Sequence, residues 1–422
     1  MSPTVAVVGS GISGLTAAYA LRTTHEVSLF EADDRLGGHA HTHDVPTSDG
    51  RRVAVDSGFI VHNQRTYPTL LRLFRELDVP TRPTEMSMSV TCAGCGLSYA
   101  GARGPRGLFA QRRRLLDARY LRMLADVPRF HRDARHVLEG TAGAADDDLT
   151  WGQFLQRGGY SQYFVEHFAV PLVACVWSAG DDDAQAYPAR HLFQFLANHG
   201  MLTIGGSPAW RTVRGGSRTY VDRVAAALGD VRAGSPVTAV ERHDDGVDVR
   251  TADGRTHRFD KVVIATHADD ALAILADATP EEKAALAAIG YSTNHTWLHR
   301  DGSVLPADRD ARASWNYRKE TCDVHASRVL VSYWMNRLHG FDTPDDLVVT
   351  LNATDRVDDA AVVARMTYRH PVFTPEAVRA AAELRTAGGD RLAFAGAHLG
   401  WGFHEDGARS GLEAARRLGA TW

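Results

Sequence analysis

The chain of 422 residues is 44% apolar, 23% charged and 8% aromatic, the composition of a folded globular protein rather than a disordered, collagenous or coiled-coil one. Basic and acidic residues nearly balance, 47 against 51, for a net charge of −4, so no global basic field points to nucleic acid. The length suits two or three domains, and the longest apolar run, Phe168 to Trp177, is about half of what a bilayer-spanning helix requires.

Thr4 to Val8 (TVAVV) is continuously apolar and β-branched, which predicts a strand buried on both faces of a parallel sheet. The string Gly9-Ser10-Gly11-Ile12-Ser13-Gly14 follows at once. A helix is expected from Leu15 to Leu21 and a second strand from Glu26 to Phe30, closed by Glu31. A strand this early is unlike a signal peptide, so a cytoplasmic location is expected. Asp56 to Val61 reads as a further extended segment. From Tyr67 to Asn198 the periodicity is helical, notably over Tyr67 to Leu77 and Gly107 to Val137, with a strand-like patch at Met86 to Thr91.

Sheet character returns at Val231, where period-2 stretches flank Asp-Asp-Gly and Asp-Gly hairpin signals. Lys261 to Ala265 is another short buried strand, and Tyr291 to Thr350 predicts a broad antiparallel or mixed sheet. The chain closes with a strand at Arg391 to Ala395, a glycine-rich turn and a helix at Ala408 to Leu418. The acidic clusters Asp146–Asp148 and Asp181–Asp183 read as solvated turns. The fold class is therefore α/β: a Rossmann-type dinucleotide domain of residues 1–65, 205–275 and 386–422, carrying an inserted α+β substrate domain of residues 66–204 and 276–385.

The glycine string stands in the context a dinucleotide site demands, with a strand before it, a helix after it and a carboxylate 17 residues past Gly14. Gly9 allows the tight turn, Gly11 lets backbone approach a pyrophosphate, and Gly14 lets the helix pack close. The amides of Ile12 and Ser13 at the helix start, aided by its dipole, hold phosphate. Glu31 accepts from ribose hydroxyls. The stretch Glu31-Ala32-Asp33-Asp34-Arg35-Leu36-Gly37-Gly38-His39 then carries an Arg-x-Gly-Gly step where a simple NAD domain would pass directly into its next helix.

That step resembles the flavin-containing amine oxidase and phytoene desaturase superfamily, whose Gly-Gly loop lies over the FAD pyrophosphate. A second resemblance is Leu392-Ala393-Phe394-Ala395-Gly396-Ala397 followed by Gly407-Ala408-Arg409-Ser410-Gly411. Such a segment in that superfamily sets a helix N-terminus against the flavin, where the dipole stabilises the charge that reduction brings. Ala265-Thr266 and Val237 match places that hold the adenosine end. LFEADDRLGGH, VDSGFIVHNQRTYPTL, WRTVRGGSRTYV, ASWNYR, YWMNRL, TYRHPVF and GWGFHEDGARSGLE together look like one bacterial branch of amine-oxidase-like FAD/NAD-binding proteins. Its members often accompany methyltransferases of the cyclopropane-fatty-acid-synthase type, which implies an acyl-lipid substrate. The resemblance implies a glutathione-reductase-like FAD domain. The chain departs from the pattern in carrying Ala397-His398 where an acidic residue is usual and His39 where arginine is common. The amine-oxidase lysine has no evident match, and of the three lysines (Lys261, Lys283, Lys319) only Lys319 lies near expected pocket residues.

Flavin chemistry needs a C–H or N–H bond held at the ring with water excluded. The candidate catalytic residues are Trp401, His404 and Glu405, with Phe403, in the loop expected before the last helix; the alternative is that His404 and Glu405 cap and brace that helix. Gly58, Phe59 and Ile60 are expected to line the cofactor's other side. Asn63, Trp315, Tyr333, Trp334 and His370 are candidates for the substrate pocket, although strand aromatics are more often core. No cysteine or histidine marks a covalent attachment, so non-covalent FAD is expected.

His39-x-His41-x-His43 alternates as metal ligands do, but its place beside Gly37-Gly38 favours cofactor contact. Cys92-x-x-Cys95 has no second pair and reads as a turn with free thiols, and no metal is expected. Residues 103–132 hold nine arginines among apolar residues, either a solvated helix face or a basic surface for peripheral membrane contact. The expected function is FAD-dependent hydride abstraction from a hydrophobic substrate, a fatty acyl chain, giving desaturation. The alternatives are a redox-neutral double-bond isomerase, an amine oxidase and a non-catalytic flavoprotein partner.

Overall fold

Five short apolar runs, scattered from residue 4 to residue 394, come together as one parallel sheet. Its order is Asp230–Arg232, Glu26–Phe30, Thr4–Val8, Lys261–Ile264 and Leu392–Phe394. The structure, a computed structural model, describes residues 2–140, 149–177, 181–203, 205–323, 330–352 and 355–422. Thr4–Val8 is the central strand, and Val5, Ala6 and Val7 are fully buried, which is why the run carries no polar alternation. One face of the sheet packs on helices Ile12–Leu21 and His404–Arg417. The other packs on a meander (Val237–His243, Gly246–Thr251, Thr256–Phe259) and on helices Ala268–Ile274, Pro280–Ala287 and Pro375–Leu384.

The two flanking helices cross unusually close. A Cβ on Gly411 would lie 2.1 Å from the Ser13 carbonyl oxygen, and one on Gly407 would lie 2.6 Å from an Ile12 methyl. Glycine at those positions lets the N-terminal ends of both helices converge on the same end of the sheet.

The second sheet has seven strands, in the order Val362–Pro371, Tyr291–His299, Val348–Leu351, Val331–Trp334, Trp315–Lys319, Met88–Cys92 and Leu97–Gly101. It is antiparallel except where Trp315–Lys319 runs parallel to Met88–Cys92. Directly paired residues share a face, so the register places His370, Tyr368, Asn294, Leu298, Val349, Tyr333, Trp315 and Val90 on one side. A helical layer covers one end of that side, with Phe130, Trp151, Phe164 and Phe193 at its core; Val45, Val55 and Ile60 cover the other. The opposite side carries the polar ladder of Ser89, Asn316, Ser332, Thr350 and His299.

Several expectations are revised. The first helix begins at Ile12 rather than Leu15, and the last at His404 rather than Ala408. Gly107 to Val137 is three pieces, Gly104–Leu108, a 3-10 turn at Arg112–Leu116 and the helix Ala118–Leu138, whose first turn Asp117 caps by accepting from the Arg119 and Tyr120 amides. Helices Pro68–Glu76, Pro280–Ala287 and Pro375–Leu384, expected in the substrate part, pack with the nucleotide sheet, because their apolar stripes match its two faces. Asp181–Asp183 opens a helix, Asp181–Ala186, rather than a turn; Asp146–Asp148 lies outside the described residues. Among the described residues no helix is long and apolar enough to cross a membrane.

Candidate active site

The glycine turn is built by contacts that tolerate no side chain. Gly9 has φ +99°, and a Cβ there would meet the Ala265 carbonyl oxygen at 2.8 Å; one on Gly14 would fall 1.8 Å from the Gly9 oxygen. Gly11 differs: its Cβ direction meets no atom within 4 Å, leaving the cradle beside the first-helix amides open for a pyrophosphate. The Gly37-Gly38 step folds back over this turn. Gly37 donates to the Ser10 oxygens at 3.1 Å, and a Cβ on Gly38 would approach the Gly11 Cα to 3.2 Å. Ala265 donates to Val8 at 2.8 Å, which holds Ala265-Thr266 against the turn.

Glu31 is half-buried at the end of its strand, with one carboxylate oxygen accepting from the Ser10 amide at 2.8 Å and the other from Asp33 at 3.0 Å. Its carbonyl accepts from Ser235 at 2.7 Å, so Val237 starts its strand beside it. A cavity of about 410 Å³ lies nearby, lined in part by Phe30, Arg232, Ser235 and Pro236. Ala32 is exposed, and Arg35 is half-buried with one bond, at 3.4 Å, to the Leu36 carbonyl. Gly58 and Phe59 lock onto the Gly-Gly loop: Phe59 donates to the His39 carbonyl at 2.8 Å, and a Cβ on Gly58 would strike that oxygen.

Around the loop stands a group of imidazoles. His39 packs against Tyr368, His370 and His267 with ring centroids 5.0, 5.4 and 6.0 Å apart. Burial, then neighbouring positive groups, pushes His39 and His267 down to about 4. Burial does the same to His370 and His398, down to about 3. All four are neutral at pH 7. The His39 Nε2 is buried without a partner. A buried ring nitrogen left unpartnered beside the Gly-Gly loop suits a hydrogen bond to a bound cofactor. His41 and His43 turn elsewhere, to Tyr368 at 3.1 Å and Ser57 at 2.9 Å, so the alternating histidines do not converge.

The last helix brings His404 to the same place. Its ring stacks on Phe59 at 3.7 Å and shares a 2.8 Å hydrogen bond from Nε2 to the Tyr220 hydroxyl. Burial holds it well below its usual range and keeps the Tyr220 phenol neutral. Glu405 is committed to bracing: its two oxygens accept from the Thr69 and Leu70 amides at 2.9 and 3.0 Å, capping helix Pro68–Glu76. Asp406, raised to about 6 by burial, accepts from Phe403 at 3.1 Å and pairs with Arg409 at 2.9 Å. The Trp401 carbonyl accepts from the Trp177 indole at 2.9 Å, and Phe403 stacks on Phe195; this segment therefore joins the helical layer to the cofactor end. Ser410 fastens the Gly396 turn by donating to its carbonyl at 3.0 Å and accepting from its amide at 2.9 Å.

Of the expected pocket residues, Trp315 and Tyr333 meet edge-on at 5.4 Å where the helical layer and the Ile60 cluster join. His370 shares their sheet face and contacts the Asn294 amide at 3.0 Å. Trp334 does not: one residue along the strand, it points to the opposite side and donates to Asp346 at 3.0 Å. Asn63 is used by its own turn, accepting from Arg65 and Thr66 at 2.9 Å. Lys319 donates to the carbonyls of Glu166 and Cys322, Lys261 to that of Leu418, and Lys283 is exposed; no lysine stands among the cofactor loops. The sequence reading missed Tyr220, Tyr368 and Asp56. Asp56 accepts from Ser217 and Thr42 and so ties the strand before Gly58 to the Gly215-Gly216 loop; the paired glycines of that loop were the available signal. It also missed that Cys322 and His167 join the Cys92-x-x-Cys95 turn, since they lie far away in sequence.

Fold and site define an FAD-dependent flavoenzyme with a Rossmann-like cofactor domain. Over residues 12–419 the sequence matches the family described as flavin containing amine oxidoreductase, and the chain belongs to that family. It is 29% identical over 261 residues to a Mycobacterium tuberculosis protein that bears the name flavin-containing monoamine oxidase AofH, covering 60% of this chain and 54% of that one. It is 25% identical to (S)-6-hydroxynicotine oxidase of Paenarthrobacter nicotinovorans, covering 62% and 59%. The chain thus matches little more than half the length of these relatives. Among solved structures it resembles cyclohexylamine oxidase from Brevibacterium oxydans IH-35A, 18% identical with a TM-score of 0.67 over 99% of both chains. It also resembles a CLA-producing fatty acid isomerase from P. acnes, 16% identical with a TM-score of 0.69 over 99% of both. At these identities the likeness is one of fold.

Proposed function

We propose that this FAD-dependent oxidoreductase takes hydride from a C–H bond of a hydrophobic substrate, a fatty acyl chain, giving desaturation. The observation that carries this reading is the character of the sheet face turned to the cofactor loops. Leu298, Val349, Tyr333, Trp315 and Met366 meet Ile60 there, and the imidazoles beside them are neutral. A wall without fixed charge favours hydrocarbon and disfavours an ammonium ion, whose desolvation it would not offset. When bound, FAD supplies the two-electron hydride acceptance. The chain supplies the rest. The amides of Ile12 and Ser13 would hold phosphate, Arg35 would add positive charge, and the unpartnered His39 Nε2 would hydrogen-bond to the cofactor. Neutral His404, fixed between Phe59 and Tyr220, sets the wall at the last helix. Glu405 acts as a brace.

None of the four cysteines lies in these loops, three meeting in the thiol cluster and Cys175 being buried in the helical layer, which supports a non-covalent flavin. A second reading, redox-neutral movement of a double bond, is favoured by the likeness to the fatty acid isomerase fold. Among the described residues Leu115, Leu116 and Leu121 are the exposed large apolar side chains, 52%, 92% and 40% accessible, among exposed Arg106, Arg112, Arg113, Arg119 and Arg122. This basic, apolar edge suits peripheral contact with anionic lipid on the cytoplasmic side. Anaerobic titration of the yellow protein with phosphatidylglycerol–phosphatidylethanolamine vesicles tests the reading. Bleaching of the flavin with a new acyl double bond is expected. Unbleached flavin with a moved double bond selects the isomerase, and bleaching by putrescine or cyclohexylamine but not by lipid overturns both.

A further inference from the structure

Four ligand-type side chains from three distant segments meet at one point outside the cofactor loops. Cys92 ends the strand Met88–Cys92, Cys95 stands in the turn before Leu97–Gly101, and Cys322 follows the strand Trp315–Lys319. His167 projects from a π-helical turn, Val165–Ala169, in the helical layer. Their three sulfurs and one ring nitrogen all lie within 4.8 Å of one another. We propose that Cys92, Cys95, His167 and Cys322 form a tetrahedral Cys3His site for a structural zinc ion.

The spacing is that of a zinc polyhedron. Bonds of about 2.3 Å to sulfur and 2.05 Å to nitrogen at tetrahedral angles require edges of roughly 3.8 Å between sulfurs and 3.5 Å between sulfur and nitrogen. The Cys92 and Cys322 sulfurs are 3.8 Å apart, and the Cys95 sulfur is 3.4 Å from His167 Nε2. The histidine is prepared as a ligand. Its Nδ1 donates to the Tyr163 carbonyl at 3.1 Å, which leaves Nε2 with its lone pair toward the thiols, the outer arrangement that metal-bound histidines use. His167 is fully buried, and π-turns recur where a helix must re-aim a functional side chain.

Charge supplies an independent observation. Three thiolates and a neutral imidazole on Zn²⁺ carry net −1. Lys319, paired in register with Cys92 and 4% exposed, sits beside the cluster. Its ammonium donates to the Glu166 and Cys322 carbonyls at 3.0 and 3.4 Å, and among the described residues no carboxylate pairs with it. A buried cation needs a counter-charge, and the anionic zinc centre provides one. The backbone is closed tightly around the site: Ala93 donates to the Lys319 carbonyl at 2.9 Å, and a Cβ on Gly94 would lie 3.1 Å from the Cys322 amide. Zinc would therefore staple the hairpin, the neighbouring strand and the helical layer together. Loading balances as Zn²⁺ plus three thiols giving the bound tris-thiolate and three protons.

The test uses the full flavin-loaded chain, made in zinc-supplemented medium and purified under reducing conditions. Metal analysis is expected to find one zinc per chain that survives gel filtration. Cys95→Ser and Cys322→Ser should each lower zinc about tenfold or more at unchanged flavin content. Should either variant fail to fold, cobalt(II) reconstitution of the chelator-treated wild type serves instead. Intense tetrahedral visible bands and a thiolate-to-metal ultraviolet band are expected, with close to three protons released. A zinc-free protein whose thiols titrate identically with and without zinc would overturn the proposal, as would a Cys92–Cys322 disulfide in the freshly purified protein.

Discussion

The histidines around the Gly-Gly loop and the thiols around Lys319 are both gatherings of titratable side chains from distant segments, yet they are built for opposite ends. His39 packs on His267 and His370 ring against ring, and these three and His398 are held neutral by burial. Such a wall can contact a large uncharged ring system and leaves one buried ring nitrogen unpartnered, the His39 Nε2. The cysteine cluster instead aims every donor atom at one point. Residue types in a sequence suggest metal chemistry in both places; only the direction of the donor atoms separates a cofactor wall from an ion site.

The largest effect that would sharpen this contrast comes from the two glycines facing the cofactor end. Gly14→Ala forces a Cβ against the Gly9 oxygen and is expected to cost about 3 kcal/mol, at the upper end for overpacking, with loss of flavin. Gly11→Ala places its Cβ in open space at an ordinary backbone conformation, φ −61°. It should change unfolding free energy by less than about 0.5 kcal/mol while weakening FAD binding about tenfold, some 1.4 kcal/mol. Equal loss of stability in the two variants would break the assignment of Gly11 to the pyrophosphate.

Acid is the next lever. Each buried imidazole binds its proton less readily in the folded chain than in the unfolded one, so the unfolded chain takes up more protons below about pH 6.5. Stability from these groups is full above that pH and falls as pH drops toward 4, by about 1.4 kcal/mol per pH unit for each extra proton. Asp56 and Asp406, both raised to about 6 by burial, act in the other sense: their contribution is lost as pH rises through 6. The histidines outnumber them, so urea midpoints between pH 7.5 and 5 should decline with acid. A flat profile would show that the wall is open to water.

The smallest effect on stability is expected at the surface above the thiol cluster. Arg113 and Arg114 donate to the Gly96 and Cys95 carbonyls at 3.1 and 3.0 Å, so the thiol turn carries the exposed Leu115 and Leu116. The double change Leu115→Ser and Leu116→Ser should move unfolding by less than about 0.5 kcal/mol yet reduce co-sedimentation with anionic vesicles several-fold. Unchanged co-sedimentation would assign that edge to solvent.

Much of the nucleotide end was legible in the sequence. Gly9, Gly14 and the strands around them are recognisable because their requirements are local: a backbone conformation, a close approach, a run with no polar residue. The long sheet at residues 291–371 was legible as sheet but not as two faces, so Trp334 and Trp315 looked alike although one residue of register sends them to opposite sides. Glu405 and His404 looked equivalent as neighbours in one motif, yet one caps a helix that begins at residue 68 and the other stacks on Phe59.

The sequence by itself determined a dinucleotide-type glycine turn between a buried strand and a helix, and its resemblance to a flavin family named the cofactor, because close backbone approach can be written in consecutive residues. Only the tertiary structure decided which face of the sheet meets the Gly-Gly loop, that the Glu405 carboxylate caps the helix Pro68–Glu76, and that Cys322 and His167 join a lone Cys-x-x-Cys. Those are properties of side-chain direction across contacts between residues far apart in the chain, and direction is set by packing rather than by order along the sequence.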